Sequence, residues 1–378
     1  MESTDALLST LGTEPRRSVA AHGHLPRTTA VSRAEALAFD HHYADAIDEL
    51  AGFDAAGDAD LQVRALLCEG WAHLYLGALD DASSRLERAL ALADDEGLSG
   101  LRRGEARFRL GACRLQQSHA TAAQEFLTEA LLFAHESDAL RSQILDWRSR
   151  THQVHRSFGA AQRDAELSLE LAEAAGDHRL AARSLMQCSL VAERLGESWA
   201  ARYYAERACA LAHDAGDRQT EARLLNNLGC LSFLLGDPDQ ALVHLDESLK
   251  VSLDLGNDAD AAQAISSRAQ VRLRTARPDL AEQDARRALA ILASREDYLD
   301  ELGGVSLVLG RALLELGRSD EATEQLAAAE QAFERLGSLT HLAAVWRAQA
   351  DVLIAGGDPD GAAALYRRAV DSIYDFQF

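Results

Sequence analysis

A repeat close to forty residues long constrains this chain more than any other feature. The alanines Ala46, Ala82, Ala123, Ala161, Ala201, Ala241, Ala281, Ala322 and Ala362 follow one another at spacings of 36, 41, 38, 40, 40, 40, 41 and 40 residues. Twelve residues before each of them, from Ala82 onward, stand Gly70, Gly111, Ser149, Ser189, Gly229, Ala269, Gly310 and Ala350. Seven residues after them stand Ala89, Ala130, Ser168, Ala208, Ser248, Ala288, Ala329 and Ala369. Three series of small residues in phase mark places where chain segments approach closely, and a fixed period of this length means stacked copies of one supersecondary unit.

Residues 222–257 show what that unit is. Leu225, Leu228 and Gly229, then Ala241, Leu245 and Leu249, recur at helical spacing on either side of Gly236, Asp237 and Pro238. Gly236 suits the left-handed residue that ends a helix, Asp237 can cap the next one, and Pro238 fits its first turn. The unit is therefore a helical hairpin. One hairpin cannot bury its apolar face alone, so neighbours must stack to make the core, and the chain is predicted to be an all-α solenoid. Residues 1–30 lack sustained periodicity and are expected to form a flexible leader, with repeats filling 31–378.

Composition narrows the function classes. A formal net charge of −22 opposes phosphate-rich surfaces, so direct nucleic-acid or anionic-membrane binding is not expected. The N-terminus has no signal-like apolar core, and no later run reaches the roughly 18 apolar residues of a membrane span, which predicts a cytoplasmic protein. Cys68, Cys113, Cys188, Cys209 and Cys230 are far apart and read as buried free thiols. Glycine-rich phosphate loops and a nucleophile elbow are absent from the sequence, and His152 with His155 lacks further ligands at metal-binding spacing. No cofactor, metal or catalytic activity is expected.

The three phased series resemble the tetratricopeptide repeat (TPR) family, over residues 31–372. The resemblance implies a right-handed superhelix of about nine hairpins, with the first helix of each repeat lining the concave side. At about forty residues the repeats are similar to those of kinesin light chains and of Gram-positive peptide-pheromone regulators. Family positions 2, 5, 9 and 13, carried onto the central repeats, give Gln143, Asp146, Arg150 and Val154, then Arg183, Met186, Leu190 and Arg194. They continue as Arg223, Asn226, Cys230 and Leu234, and as Gln263, Ser266, Gln270 and Arg274. Asn227 matches the asparagine that similar proteins use to hold a ligand's main chain.

From this stripe the candidate binding residues are Arg150, Arg183, Arg194, Arg223, Asn226, Asn227, Gln263 and Arg274. Guanidinium forks suit carboxylates and side-chain amides suit an extended backbone, so a peptide or protein segment, an acidic one included, is the expected partner of a regulatory or adaptor protein. Arginines on a helix face also serve as ion-pair partners for nearby acids, and that reading stays open. The alternative function is a scaffold or homo-oligomer assembled through its terminal repeats, with Tyr374, Phe376 and Phe378 as the apolar tail.

Overall fold

The computed structural model describes residues 27–293 and 298–374, and helices are the regular elements throughout them. The chain divides into two compact units at Leu98 and Ser99. The first contains α1 (Arg27–Phe39), α2 (Tyr43–Glu49), α3 (Ala59–Tyr75) and α4 (Leu79–Asp95). Its core gathers Val31, Ala34, Ala46, Leu50, Leu61 and Cys68. Helix α1 begins at Arg27, inside the stretch expected to be leader, and residues 1–26 lie outside the described part.

The second unit continues with α5 (Gly100–Gln116), α6 (Ala120–Phe133), α7 (Asp138–Val154), α8 (Phe158–Ala174), α9 (His178–Arg194) and α10 (Ser198–Asp214). Next come α11 (Arg218–Leu234), α12 (Pro238–Asp254), α13 (Asp258–Arg274), α14 (Pro278–Leu292) and α15 (Leu299–Glu315). Helices α16 (Ser319–Leu336), α17 (Leu339–Ala355) and α18 (Pro359–Tyr374) complete the eighteen. The array is a TPR-type α-solenoid. Odd-numbered helices open each hairpin and are called A; even-numbered ones close it and are called B.

The period has a local cause. Helices α11 and α12 each run 17 residues, and a three-residue turn follows each. Gly236 adopts φ +88°, Asp237 Oδ1 accepts from Gln240 N–H at 3.0 Å, and Pro238 sits in the first turn, as the sequence predicts. Asp58, Ser99, Ser137, Asp177, Asp217 and Asn257 cap the A helices α3 to α13 in the same way, each side chain accepting a first-turn N–H.

All nine alanines of the first series are fully buried. The glycines of the second mark the tightest crossings: a Cβ on Gly229 would lie 2.5 Å from Leu245 Cγ, so only a bare backbone fits there. In the second unit each A helix contacts the next A helix, whereas no B helix contacts the next B helix among the described residues. Spacing is therefore closer on the A side, which bends that stack toward its A helices and makes them its inner wall.

Candidate functional site

On α9 and α11 the stripe positions Arg183, Met186, Leu190 and Arg194, then Arg223, Asn226, Cys230 and Leu234, are all half-buried or exposed, whereas on α7 and α13 the stripe is interrupted by the buried Asp146 and Ser266. The wall is mixed in chemistry, with guanidiniums, amides and apolar side chains at comparable exposure. Met186 and Leu190 are half-buried, while Leu234 and Val154 are exposed.

The arginines of the stripe fall into two groups. Arg150 Nη2 lies 2.9 Å from Asp146 Oδ2, and its guanidinium covers the Trp147 ring at 4.8 Å. Arg183 Nη2 stands 3.8 Å from Asp217 Oδ2, and Arg223 Nε donates to Asp260 at 3.0 Å. These three have acids beside them, in keeping with the ion-pair reading of arginines on a helix face. By contrast Arg194 is exposed and makes no ion pair among the described residues, and Arg274 stacks on Phe233 at 5.0 Å. Gln263 is exposed, and Asn226 and Asn227 are half-buried.

Two partners of the first group come from the next repeat. Asp217 caps α11 and Asp260 lies in the first turn of α13, which places each beside the second-position arginine of the preceding A helix. Asp146 is buried, and burial pushes its carboxyl above the usual range while Arg150 and Arg183 pull it back. Its Oδ1, Gln187 Oε1 and Asn226 Oδ1 are buried without a hydrogen-bond partner. Asp146 and Asn226 thus bring acceptors with unused capacity to stripe positions on α7 and α11, whereas Gln187 is fully buried and donates to Ser149 of α7.

Sequence reading stopped at α13 and so missed a cationic continuation. Arg311 on α15 and Arg347 on α17 occupy stripe positions, with Arg347 exposed and Arg311 half-buried. Burial and then the Arg347 guanidinium pull the Arg311 pKa below its ordinary value, and Arg274 adds to the effect. Arg311 therefore lies in the field of guanidiniums on both neighbouring A helices, with Glu315 and Asp351 opposing them. The neighbouring Asp351 accepts a hydrogen bond from the Tyr366 hydroxyl.

Other expectations resolve as follows. All five cysteines are free thiols; burial pushes Cys188 up to about 12 and Cys209 up to about 11, which leaves both as unreactive thiols. Among the described residues no cluster of three His, Cys, Asp or Glu could hold a metal, and no helix is long and apolar enough to cross a membrane. The tail expected to assemble copies falls outside the described side chains: Tyr374 ends α18, and Phe376 and Phe378 lie beyond the described residues.

The tetratricopeptide repeat family model matches residues 220–294, the stretch from α11 through α14. No curated protein matches the chain by sequence. Among solved structures it is similar to a Rap protein complexed with Competence and Sporulation Factor, with TM-score 0.69, 16% identity, and coverage of 92% of this chain and 98% of that one. The apo quorum sensor NprR from B. thuringiensis gives TM-score 0.63 at 14% identity, over 92% and 98%. Aspartyl phosphate phosphatase F from Bacillus subtilis gives TM-score 0.61 at 15% identity, over 93% and 96%. At such identities the likeness is one of fold, and it agrees with the long-repeat TPR resemblance read from the small-residue series.

Proposed function

We propose that this protein is a cytoplasmic regulator or adaptor that binds an extended peptide, or an extended segment of another protein, along the inner wall of α7 to α17. The observation that carries the reading is the run of half-buried and exposed, mixed polar and apolar stripe positions on α9 and α11, flanked by Gln143 and Arg150 on α7 and by Gln263, Gln270 and Arg274 on α13, with an unused acceptor on Asn226. An extended chain offers N–H donors and side chains at regular intervals, which suits such a wall. Arg194, Arg274, Arg311 and Arg347 favour a ligand with carboxylates, since guanidiniums not already held by an acid bind one with the least rearrangement. Arg183 and Arg223 instead tie their helices to acids of the next repeat, and Arg150 pairs with Asp146 of its own helix.

The solved structures similar in fold include one with a bound signalling factor and one named a phosphatase, so the fold by itself selects no activity. Binding is favoured here by the wall. The test is affinity capture from the source cell with wild type and with an Arg194→Ala, Arg274→Ala double variant. These two side chains make no ion pair among the described residues, so their removal should leave the thermal midpoint unchanged. Loss of specific ligands from the variant supports the proposal, and an identical set of captured ligands sinks it.

A further inference from the structure

On the opposite side of the second unit, a cavity of about 640 Å³ opens between α10, α11 and α12. Leu225, Leu228 and Val251 contribute an apolar lining, and Glu206, Glu247 and Asp254 add carboxylates. Glu221 also lines it but is already matched, to Arg218 at 2.7 Å and His213 at 3.0 Å. Glu206 is exposed and already held by Arg202 at 2.7 Å, whereas Glu247 and Asp254 are exposed and make no ion pair among the described residues; Lys250 is the one other basic residue of the lining besides Arg218 and the histidines. The cavity therefore combines an apolar interior with an excess of negative charge.

A second feature leads into it. Trp199 and Tyr203 are 71% and 56% exposed on α10. With Glu206 and Ala210 they recur at helical spacing, so the aromatic pair and two cavity residues share one face of the helix. An exposed tryptophan one turn from an exposed tyrosine is unusual on a surface otherwise rich in charge, and large exposed apolar side chains beside a cavity mark interaction surfaces.

We propose that this outer face binds an arginine-bearing segment of a partner protein. The methylene stem of one arginine lies over Leu225, Leu228 and Val251, and its guanidinium meets Glu247, with Asp254 on the same helix adding negative charge. A neighbouring residue of the segment rests on Trp199, next to Tyr203, whose ring already has the Arg207 guanidinium over it at 5.7 Å. Arginine fits better than a small cation because the interior offers apolar contact to the stem while the carboxylates offer acceptors to the fork. This site is separate from the inner wall, and it stands or falls independently of what that wall binds.

The probe is a fluorescein-labelled arginine hexamer titrated into the full chain. A Glu247→Gln, Asp254→Asn variant is expected to weaken binding about tenfold, and Trp199→Ala about fivefold. An Asp320→Asn, Glu324→Gln variant on α16 changes net charge equally at exposed positions away from the cavity, and it should alter affinity less than about twofold. All three altered sites are exposed, so thermal midpoints should match wild type and exclude unfolding as the cause. The proposal is overturned if wild type does not bind the hexamer, if either cavity-face variant binds as tightly as wild type, or if the α16 variant weakens binding as much as Glu247→Gln, Asp254→Asn does.

Discussion

Two adjacent hairpins, α11–α12 and α13–α14, have the same backbone and solve the same packing problem with different chemistry. In α11–α12 the crossing is a notch and a knob, with Leu245 filling the space left by Gly229. In α13–α14 the equivalent pair is Ala269 and Ala285, both fully buried, and one residue earlier on each helix Arg268 forks onto Asp284 at 2.6 and 3.0 Å. Arg272 joins the same carboxylate at 2.7 Å, and Arg268 also reaches Asp246. Five other hairpins resemble one or the other: Gly70, Gly111 and Gly310 face Leu86, Leu127 and Leu326, whereas Ser149 and Ser189 stand sixteen residues from Ala165 and Ala205; in α17–α18 the residue sixteen after Ala350 is Tyr366. What the period preserves is a small residue on the A-helix side of the crossing, glycine where leucine faces it and alanine or serine where alanine does.

The sharpest break in the comparison should come from Asp284→Ala. It leaves the Arg268 and Arg272 guanidiniums without the carboxylate they share, Arg268 being buried, and removing one partner from such a network costs about 4 kcal/mol. Urea denaturation of the full chain measures it. A loss below about 1 kcal/mol, the worth of an exposed pair, would mean that water reaches the fork.

The apolar hairpin should answer to volume instead. Gly229→Ala puts a methyl 2.5 Å from Leu245 Cγ and 3.2 Å from the Ala241 carbonyl, and overpacking of this kind costs about 3 kcal/mol. Adding Leu245→Ala converts the crossing to the alanine pair found at Ala269 and Ala285. The double variant should then be more stable than the sum of the two single losses by about 1 kcal/mol or more. Additive losses would show that the two crossings are not interchangeable.

These contrasts also explain what could be read in the chain beforehand. The hairpins were legible because close helix crossings admit few residue types, so Gly229, Ala241 and Ser248 recur in phase wherever the geometry recurs. The acid partners of Arg183 and Arg223 were not, because Asp217 and Asp260 stand 34 and 37 residues further on and meet them only when repeats stack. Likewise the division at Leu98 leaves the 41-residue step from Ala82 to Ala123 unmarked. The cavity on the outer face draws on three helices, and no single periodic series records it.

The smallest effect belongs to the serines that stand where other hairpins use glycine or alanine. Ser189 Oγ donates to the Ala201 carbonyl at 2.8 Å, and Ser149 Oγ to the Ala161 carbonyl at 2.7 Å. Each carbonyl belongs to the first turn of a B helix, whose own backbone ladder already gives it an acceptor role. Ser189→Ala therefore removes one neutral hydrogen bond and leaves no polar side-chain atom behind, a loss of about 1 kcal/mol or less. The same chain carries alanine at the equivalent Ala269 and Ala350, both fully buried, so the methyl group is known to fit this crossing. A loss as large as that of Gly229→Ala would mean that the hydroxyl, rather than the small volume, holds α9 against α10, and the two solutions would then have to be counted as three.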